Sequence, residues 1–478
     1  LAGLGLALVT CGCGRRWLGP RQGLLAGAIV GTSYGYFTIA RSSLPDLPLA
    51  FFITVAAWGL FEATAPADAA RPVTPRARTA WILLAAFSMG LGMLTKGPVG
   101  LALPALVILV HRAVTRQTLL PSRQGWIGLT WGQLFAGGVL LLVVAVPWYL
   151  AMTMTHGIEY LERFFVGENL ERFATDRYNE RRPFWFYVPI VVGGLIPWSP
   201  LLALWVRPAV RVLRGQRRLT ELEWRLILWA AVPLIFYTLS VGQQPRYILP
   251  VLPALAILAS RTMLHRIDQA RTLGRRHLPL VWAVTGSAVI LLVLALLLHR
   301  ARPLLFALSP FSGRIGTIVI VLAGLTLIAL AWFGRHSWLP AAVTTAATAT
   351  LLALHYSVYS AAGLEPVQQM ARLVLQVRQH EEPSGTYRAF VRNLVFYTGV
   401  KQNDLVDERE AVEFLSRPER VLCVMPLDLL EELEDTHQLR LRRLGSVLYF
   451  NPAGVRVRTL LSPEPERDLE TVVLVSNR

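Results

Sequence analysis

Long uncharged apolar stretches constrain what this chain can fold into more than any other feature of its sequence. The stretches LPLVWAVTGSAVILLVLALLL and IGTIVIVLAGLTLIALAWF carry no charged side chain, and a helix needs about 20 apolar residues to cross a bilayer. Only 16% of the 478 residues are charged, below the usual share in soluble domains. The sequence therefore predicts a polytopic all-α membrane domain. Its apolar segments lie near 1–13, 23–40, 47–64, 80–95, 98–111, 132–151, 184–206, 226–241, 247–263, 279–299, 315–333 and 339–357.

The loops between these segments form two sets that alternate along the chain. One set is rich in arginine and poor in acids, at 15–21, 71–78, 112–123, 207–225 and 261–276. A net charge of +17 would suggest nucleic-acid binding in a soluble protein, but arginines in short loops mark the cytoplasmic side of a membrane. We therefore expect an inner-membrane protein whose other loops face the periplasm, with no nucleic-acid partner. Those loops contain Asp46, Glu159, Glu162, Glu168, Glu171, Asp176 and Glu180.

The pattern changes after about residue 358. TYRAFV, NLVFYTG and RVLCVMP predict strands, and EREAVEFLSRP and LDLLEELEDTH predict amphipathic helices. The sequence thus predicts a transmembrane domain at 1–357 and a small soluble α/β domain at 358–478. The alternation of spans places the second domain in the periplasm. It has no glycine-rich phosphate loop, so we expect an accessory role.

Asp46, in RSSLPDLPLAFF, places a carboxylate where an apolar segment begins. A charge at the hydrocarbon boundary is costly unless it is solvated, paired or bound to a metal. Asp46 can cap the helix that follows by accepting backbone N–H bonds, or it can be catalytic, and the two roles are compatible. Arg41, just before it, is a candidate for substrate binding.

Lys96, in GMLTKGPVGLALPAL, is the only lysine of the predicted membrane domain and stands before a Gly-Pro break. A broken helix can present a cation to an anionic group, which favours a phosphate-binding role. The alternative is a lysine whose stem is buried at a helix end while its ammonium reaches water.

The outer loop at 152–183 carries apolar residues near helical spacing, with charges between them, which predicts an amphipathic helix in the membrane interface. Alternatively, the helix is a purely structural element, and most of its charged side chains contact no substrate. Trp185 and Tyr187 mark the membrane surface nearby. The candidate contacts for a lipid phosphate or sugar are Glu168, Arg172, Arg181 and Arg182.

Arg246 and Tyr247 open the helix in YTLSVGQQPRYILPVLPALAIL, behind Gly242 and Pro245. Arg246 can pair with a phosphate there, or it can simply orient the helix at the surface. Both residues are candidates for substrate binding.

Taken together and in this order, these stretches resemble the bacterial integral-membrane glycosyltransferases that use polyprenyl-phosphate sugars. The resemblance is to the lipid A aminoarabinose transferases and the related protein O-mannosyltransferases. It covers the predicted membrane domain, whereas the C-terminal domain is similar only in kind. The motifs that carry it are RSSLPDLPLAFF, LTKGPVGLALP, VPWYLAM with RFFVGENLERF, RRPFWFYVP with LIPWSPLL, and PRYILPVLPALAIL.

The resemblance implies a GT-C-type fold, a periplasmic active site, and transfer of a sugar from undecaprenyl phosphate to a lipid A-like or protein acceptor. It also implies an essential acid in the first periplasmic loop. Leu1 lies inside an apolar run, so we expect that loop and the first helix to be missing, and Asp46 to correspond to the second acid. The aminoarabinose transferases place a metal-binding histidine just before PFW. In NERRPFW, Glu180 is the candidate ligand for a divalent metal ion, and no other cofactor is predicted.

Two other functions compete with this interpretation. A transporter or flippase for a polyprenyl-linked lipid would carry internal repeats and acids in the middle of helices, whereas the acids here lie in loops. An inactive homologue is the second alternative, because the chain is expected to lack the first loop.

Overall fold

The computed structural model describes residues 1–478 except 43, 67–71, 175–181, 273–276, 305–309, 360–364, 380 and 450–456. Within the described part, eight helices are long and apolar enough to cross a membrane, or ten spans if two bent helix pairs count as one each. The predicted multi-span membrane protein is therefore confirmed. The chain forms two compact units, residues 1–291 with 323–351 and residues 292–322 with 352–478. The boundary predicted near 358 stays a prediction.

The membrane region is helical, with a two-stranded hairpin, β1 (Gly125–Trp126) and β2 (Leu129–Thr130). Its 3₁₀-helices span Ser199–Trp205, Pro245–Val251, Arg302–Leu304 and His336–Trp338, and a π-helix spans Glu162–Glu171. Its α-helices are α1 (Ala2–Leu18), α2 (Pro20–Gly31), α3 (Tyr34–Ala40), α4 (Asp46–Ala63), α5 (Pro75–Lys96), α6 (Val99–Val114), α7 (Trp131–His156), α8 (Glu159–Leu161), α9 (Arg172–Ala174), α10 (Tyr187–Gly194), α11 (Val206–Leu213), α12 (Glu221–Leu239), α13 (Leu252–Thr272), α14 (Leu278–Ala301), α15 (Pro310–Trp332) and α16 (Leu339–Tyr359).

Helix α4 lies at the centre of the first unit. It packs against α1, α5, α6 and the 3₁₀-helix Pro245–Val251. Its residues are apolar all round, as expected of a helix surrounded by others, and Leu49, Ile53 and Phe61 are at most 2% exposed. Because α4 is central, its first residue, Asp46, is buried as well.

Two predicted apolar segments are not single helices, which corrects the sequence prediction. The segment at 23–40 is divided into α2 and α3, bent by 62°. The segment at 184–206 is divided into α10 and the 3₁₀-helix that continues as α11, bent by 111°. Pro197 and Pro200 stand at the second break, where a proline removes a backbone donor and interrupts the α-helical ladder.

The arginine-rich end of the first unit contains buried acids that the sequence analysis overlooked: Glu62 lies inside the apolar segment at 47–64, and Glu223 lies in the arginine-rich loop at 207–225. Glu62 pairs with Arg16 at 2.8 Å, and Glu223 with Arg261 at 2.9 Å. The exposed Glu221 lies at the same end, 3.1 Å from the buried His111. Asp46 and Lys96 meet at the other end of α4 and α5, so the predicted alternation of loops between two ends is observed.

The C-terminal part contains the predicted small α/β domain. Its elements are α17 (Pro366–Val377), β3 (Ser384–Tyr387), α18 (Val391–Thr398), β4 (Gln402–Leu405), α19 (Glu408–Leu415), β5 (Leu422–Pro426), α20 (Leu427–His437), β6 (Arg442–Tyr449), α21 (Val457–Leu461), α22 (Pro465–Asp468) and β7 (Glu470–Ser476). The described strands form one sheet in the order β4-β3-β5-β7-β6, with β3 parallel to β4 and β5, and β7 antiparallel to β5 and β6. One hydrophobic core involves α19 and α20, and a second involves α17 and α18.

One predicted strand of this domain is wrong. The stretch NLVFYTG forms most of α18. This helix ends before Gly399, whose φ is 65°. Leu394 is fully buried while Phe396 is 80% exposed, so one side of a helix faces the core. Short apolar runs cannot be assigned to strand or helix by periodicity alone. The strand in RVLCVMP and both predicted helices are confirmed.

Candidate active site

Asp46 is the first residue of α4, and its side chain is only 4% exposed. Pro45 occupies the N-cap position, and no side chain caps this helix, so the capping alternative is wrong. The carboxylate contacts two cations. Lys96 donates a hydrogen bond from Nζ to Oδ1, and the Nε of Arg246 lies 3.0 Å from Oδ2. Asp46 is therefore held by ion pairs, with its charge also favoured near a helix N-terminus.

Lys96 reaches Asp46 because α5 ends there. Gly97 follows in the left-handed region with a φ of 81°, which turns the chain towards Pro98 and α6. A Cβ on Gly97 would come within 2.9 Å of the side-chain amide of Asn169, so the π-helix packs directly on this turn. The Gly-Pro break seen in the sequence thus positions the ammonium group.

Arg246 and Tyr247 lie on the 3₁₀-helix Pro245–Val251. Pro245 fixes its start, and the Oη of the buried Tyr187 donates a hydrogen bond to the carbonyl of Gln244 at 3.2 Å. The ring of Tyr247 lies beneath the lysine, with Nζ of Lys96 3.9 Å from its centroid. These contacts bring together four residues predicted from three separate motifs.

An aromatic residue that the sequence analysis did not name supports this cluster. The ring centroid of Tyr237, near the end of α12, lies 5.3 Å from that of Tyr247. Its side chain is buried. The sequence contains a signal for it, because Tyr237 opens the same stretch, YTLSVGQQPRY, that carries Arg246.

The predicted outer amphipathic helix is present, but it is wound mainly as a π-helix, Glu162–Glu171. Phe164 and Phe165 pack on Tyr149 of α7, with ring centroids 5.6 and 5.1 Å apart. The carbonyl of Phe173 accepts a hydrogen bond from the backbone N–H of Val241 at 2.8 Å. The segment therefore links α7 to the loop that precedes Arg246.

The remaining predicted residues lie at the surface or outside the described part. Arg41, at the end of α3, is exposed, with its guanidinium 5.7 Å from the ring of Phe37. Glu168 is exposed on the π-helix, and Arg182 lies 5.9 Å from the ring of Phe186. Arg172 belongs to α9, but its side chain is not described. Glu180 and Arg181 lie outside the described residues.

An apolar cavity of about 630 Å³ adjoins the ion-paired cluster. Arg246 and Gln244 contribute its polar edge, and the rest of its wall comes mainly from α3, α10 and the turn of the 3₁₀-helix. Its volume lies in the range of small-molecule sites. A cationic edge on an apolar cavity suits a ligand that joins an anionic group to a hydrocarbon chain.

The predicted metal site is not tested by these contacts. Among the described residues, no three His, Cys, Asp or Glu side chains converge to hold a metal ion. Glu180, the predicted ligand, lies outside them, so the metal stays a prediction and no step proposed below passes through one.

Comparisons with known proteins agree with the motifs. The family model for dolichyl-phosphate-mannose-protein mannosyltransferases matches residues 1–161. The undecaprenyl phosphate-alpha-4-amino-4-deoxy-L-arabinose arabinosyl transferase of Edwardsiella ictaluri is 28% identical over 70% of this chain and 57% of its own length. The enzyme of the same name from Pseudomonas aeruginosa strain UCBPP-PA14 is 31% identical over 64% of this chain and 51% of its own length.

A solved structure shares the fold over the whole chain. The crystal structure of ArnT from Cupriavidus metallidurans bound to undecaprenyl phosphate superposes with a TM-score of 0.67 at 22% identity, covering 100% of this chain and 83% of that one. The predicted GT-C-type fold and the resemblance to polyprenyl-phosphate-sugar glycosyltransferases are therefore confirmed. The chain spans about half the length of the curated relatives it matches.

Proposed function

We propose that this chain is an integral-membrane glycosyltransferase, which transfers a sugar from an undecaprenyl-phosphate-linked donor to a lipid A-like acceptor. One observation carries the proposal: the buried carboxylate of Asp46 is paired with Lys96 and Arg246 at the edge of an apolar cavity. The relatives named above support the donor class, because undecaprenyl phosphate appears in their names.

In the absence of donor, Asp46 pairs with both cations and offsets part of their charge. A donor phosphate entering the site offers Lys96 and Arg246 a second anion, and charge-assisted hydrogen bonds to it compensate for those lost to Asp46. The apolar cavity beside Arg246 suits the first part of the polyprenyl chain. Donor binding thus frees the carboxylate at the point where the phosphate is held.

The freed carboxylate of Asp46 acts as the general base. It takes the proton of the acceptor hydroxyl as that oxygen attacks the anomeric carbon of the sugar. The bond between this carbon and the phosphate oxygen breaks, and the electron pair stays on undecaprenyl phosphate. Lys96 and Arg246 stabilise the charge that develops on the leaving phosphate. The base and the cations must share one site, which is why a carboxylate begins a membrane helix here.

The proposal is tested with the full-length protein in lipid nanodiscs, supplied with undecaprenyl-phosphate sugars that carry a radiolabel on the sugar. We expect label to appear on lipid A, with one undecaprenyl phosphate released for each sugar transferred. Movement of donor across a liposome membrane with no sugar transferred would contradict the proposal and favour a transporter.

A protein acceptor is the second candidate, and the match of residues 1–161 to the protein mannosyltransferase model favours it. The same assay distinguishes the two. Label on a serine- or threonine-containing peptide, with none on lipid A, would select the protein acceptor. The donor site would be unaffected by that outcome.

The proposal also places the Asp46 end in the periplasm. The loops at 207–225 and 264–277 are then cytoplasmic, and the C-terminal domain is periplasmic. After replacement of Cys11, Cys13 and Cys423, we expect an impermeant maleimide to label Asp435→Cys in intact spheroplasts and Gln216→Cys only after permeabilisation. Labelling of Gln216→Cys in intact spheroplasts, with none of Asp435→Cys, would reverse the orientation.

A further inference from the structure

A second cavity lies at the arginine-rich end of the first unit. It is polar, has a volume of about 460 Å³, and is not used by the proposed transfer. The 3₁₀-helix Pro245–Val251 and α13 connect the two ends. From Arg246 to Arg261 these helices rise about 25 Å, so the two sites are distinct. The charged residues that line this arginine cavity are Arg207, Arg211, Arg217, Glu223, Arg261, His265, Arg266 and Asp268.

Only part of this positive charge is compensated. Glu223 accepts hydrogen bonds from Arg217 at 2.5 Å and Arg261 at 2.9 Å, which occupies its carboxylate. Among the described residues, Arg207 and Arg211 form no ion pair. Arg266 donates to Gln269 at 3.0 Å, and its buried Nε has no hydrogen-bond partner in the described part of the chain.

A neighbouring cavity of about 500 Å³ shares Arg207 and Arg266 with the arginine cavity. The rest of its wall is mostly apolar and includes Leu204, Pro279 and the 59% exposed Trp282. Burial and the neighbouring Arg266 lower the pKa of His277, which favours the neutral form of this side chain beside the two guanidinium groups. The guanidinium groups of Arg207 and Arg266 therefore lie between the polar arginine cavity and this mostly apolar one.

We propose that the arginine cavity binds a phosphate group carried by a membrane lipid. Guanidinium groups match phosphate oxygens in two-point hydrogen bonding, and basic cavities between membrane helices suit anionic head groups. A phosphate between Arg207 and Arg266 would accept hydrogen bonds from both guanidinium groups and offset part of their charge. The acyl chains of the same molecule would cover the apolar wall around Trp282, which favours a lipid over a free phosphate ion.

The proposal is tested by titrating the purified full-length protein in detergent with phosphatidylglycerol and counting bound lipids by native mass spectrometry. We expect tighter binding than for phosphatidylcholine. Arg207→Gln and Arg266→Gln should each lower the affinity for phosphatidylglycerol roughly ten- to a hundredfold, the loss expected for one charge-assisted hydrogen bond. Arg207 is exposed, so its replacement should not disturb folding.

The matched control is Arg214→Gln, which removes one exposed charge from the same end of the protein without touching either cavity. Its affinity for phosphatidylglycerol should equal that of the wild type. An equal loss of affinity in Arg214→Gln would overturn the proposal, since any arginine at this end of the protein would then attract the anionic lipid equally. The assignment to a lipid would be overturned if the protein bound inorganic phosphate, lost that binding in Arg207→Gln, and showed no preference for phosphatidylglycerol.

Discussion

Asp46→Asn is expected to abolish sugar transfer while the protein remains in the membrane. Asparagine keeps the shape of the side chain but cannot accept the acceptor's proton, and loss of a general base costs about 10²–10⁴-fold in rate. The measurement is the turnover number with saturating donor in nanodiscs. We expect the affinity for undecaprenyl phosphate to be kept or increased, because the carboxylate no longer competes with the phosphate for Lys96 and Arg246.

Glu62→Gln is a matched control at the other end of the same helix. Glu62 is 5% exposed and paired with Arg16, as Asp46 is 4% exposed and paired with Lys96. Both substitutions remove a carboxylate that pairs with a partly buried cation, so both should lower the melting temperature. Only Asp46→Asn should lose turnover. Equal turnover in the two variants would show that Asp46 is merely structural, and joint loss of donor affinity and turnover would make it a positioning residue.

Lys96→Ala is expected to weaken donor use by roughly ten- to a hundredfold, because one charge-assisted hydrogen bond to a phosphate contributes about 1.5–3 kcal/mol. Lys96→Arg should weaken donor use less than Lys96→Ala does, since arginine keeps the positive charge although a guanidinium group differs in shape from an ammonium group. The measurement is kcat/KM for the undecaprenyl-phosphate sugar at limiting donor. The effect should appear mainly in the donor KM if the lysine binds the phosphate before the reaction.

Arg16→Ala is the corresponding control, since it removes the cation that pairs with Glu62 at the opposite end of α4. It should leave kcat/KM unchanged. A lysine that only reaches the surface would give wild-type kinetics in Lys96→Ala. That result would transfer the phosphate assignment to Arg246 and Arg182.

The individual members of the site could be predicted from sequence because each is chemically out of place. Asp46, Lys96 and Arg246 are charges that interrupt apolar segments, and desolvation makes such charges costly. Their pairing could not be predicted, because it depends on how α4, α5 and the 3₁₀-helix pack. The structure excludes only the capping role of Asp46, because Pro45 occupies the N-cap position and Asp46 lies inside the first turn. Its catalytic role stays a prediction.

The parts that sequence reasoning missed are set by tertiary contacts. The π-helix keeps apolar residues near helical spacing, so its sequence could not be told from that of an α-helix. The packing of Asn169 on Gly97 leaves no signal in either motif. In the C-terminal domain, α18 was mistaken for a strand because only its packing shows which of its apolar residues are buried.

The hydrogen bond from Tyr149 to the carbonyl of Met93, at 2.7 Å, places α7 and α5 at a common level. Three residues follow Met93 before α5 ends at Lys96, whereas seven follow Tyr149 in α7. At 1.5 Å per residue, α7 therefore continues about 6 Å beyond the lysine. The end of α7 therefore extends past the level of Lys96, whereas the apolar cavity beside Arg246 is walled by the short helices α3 and α10. We expect the proposed lipid donor to enter laterally past these two short helices.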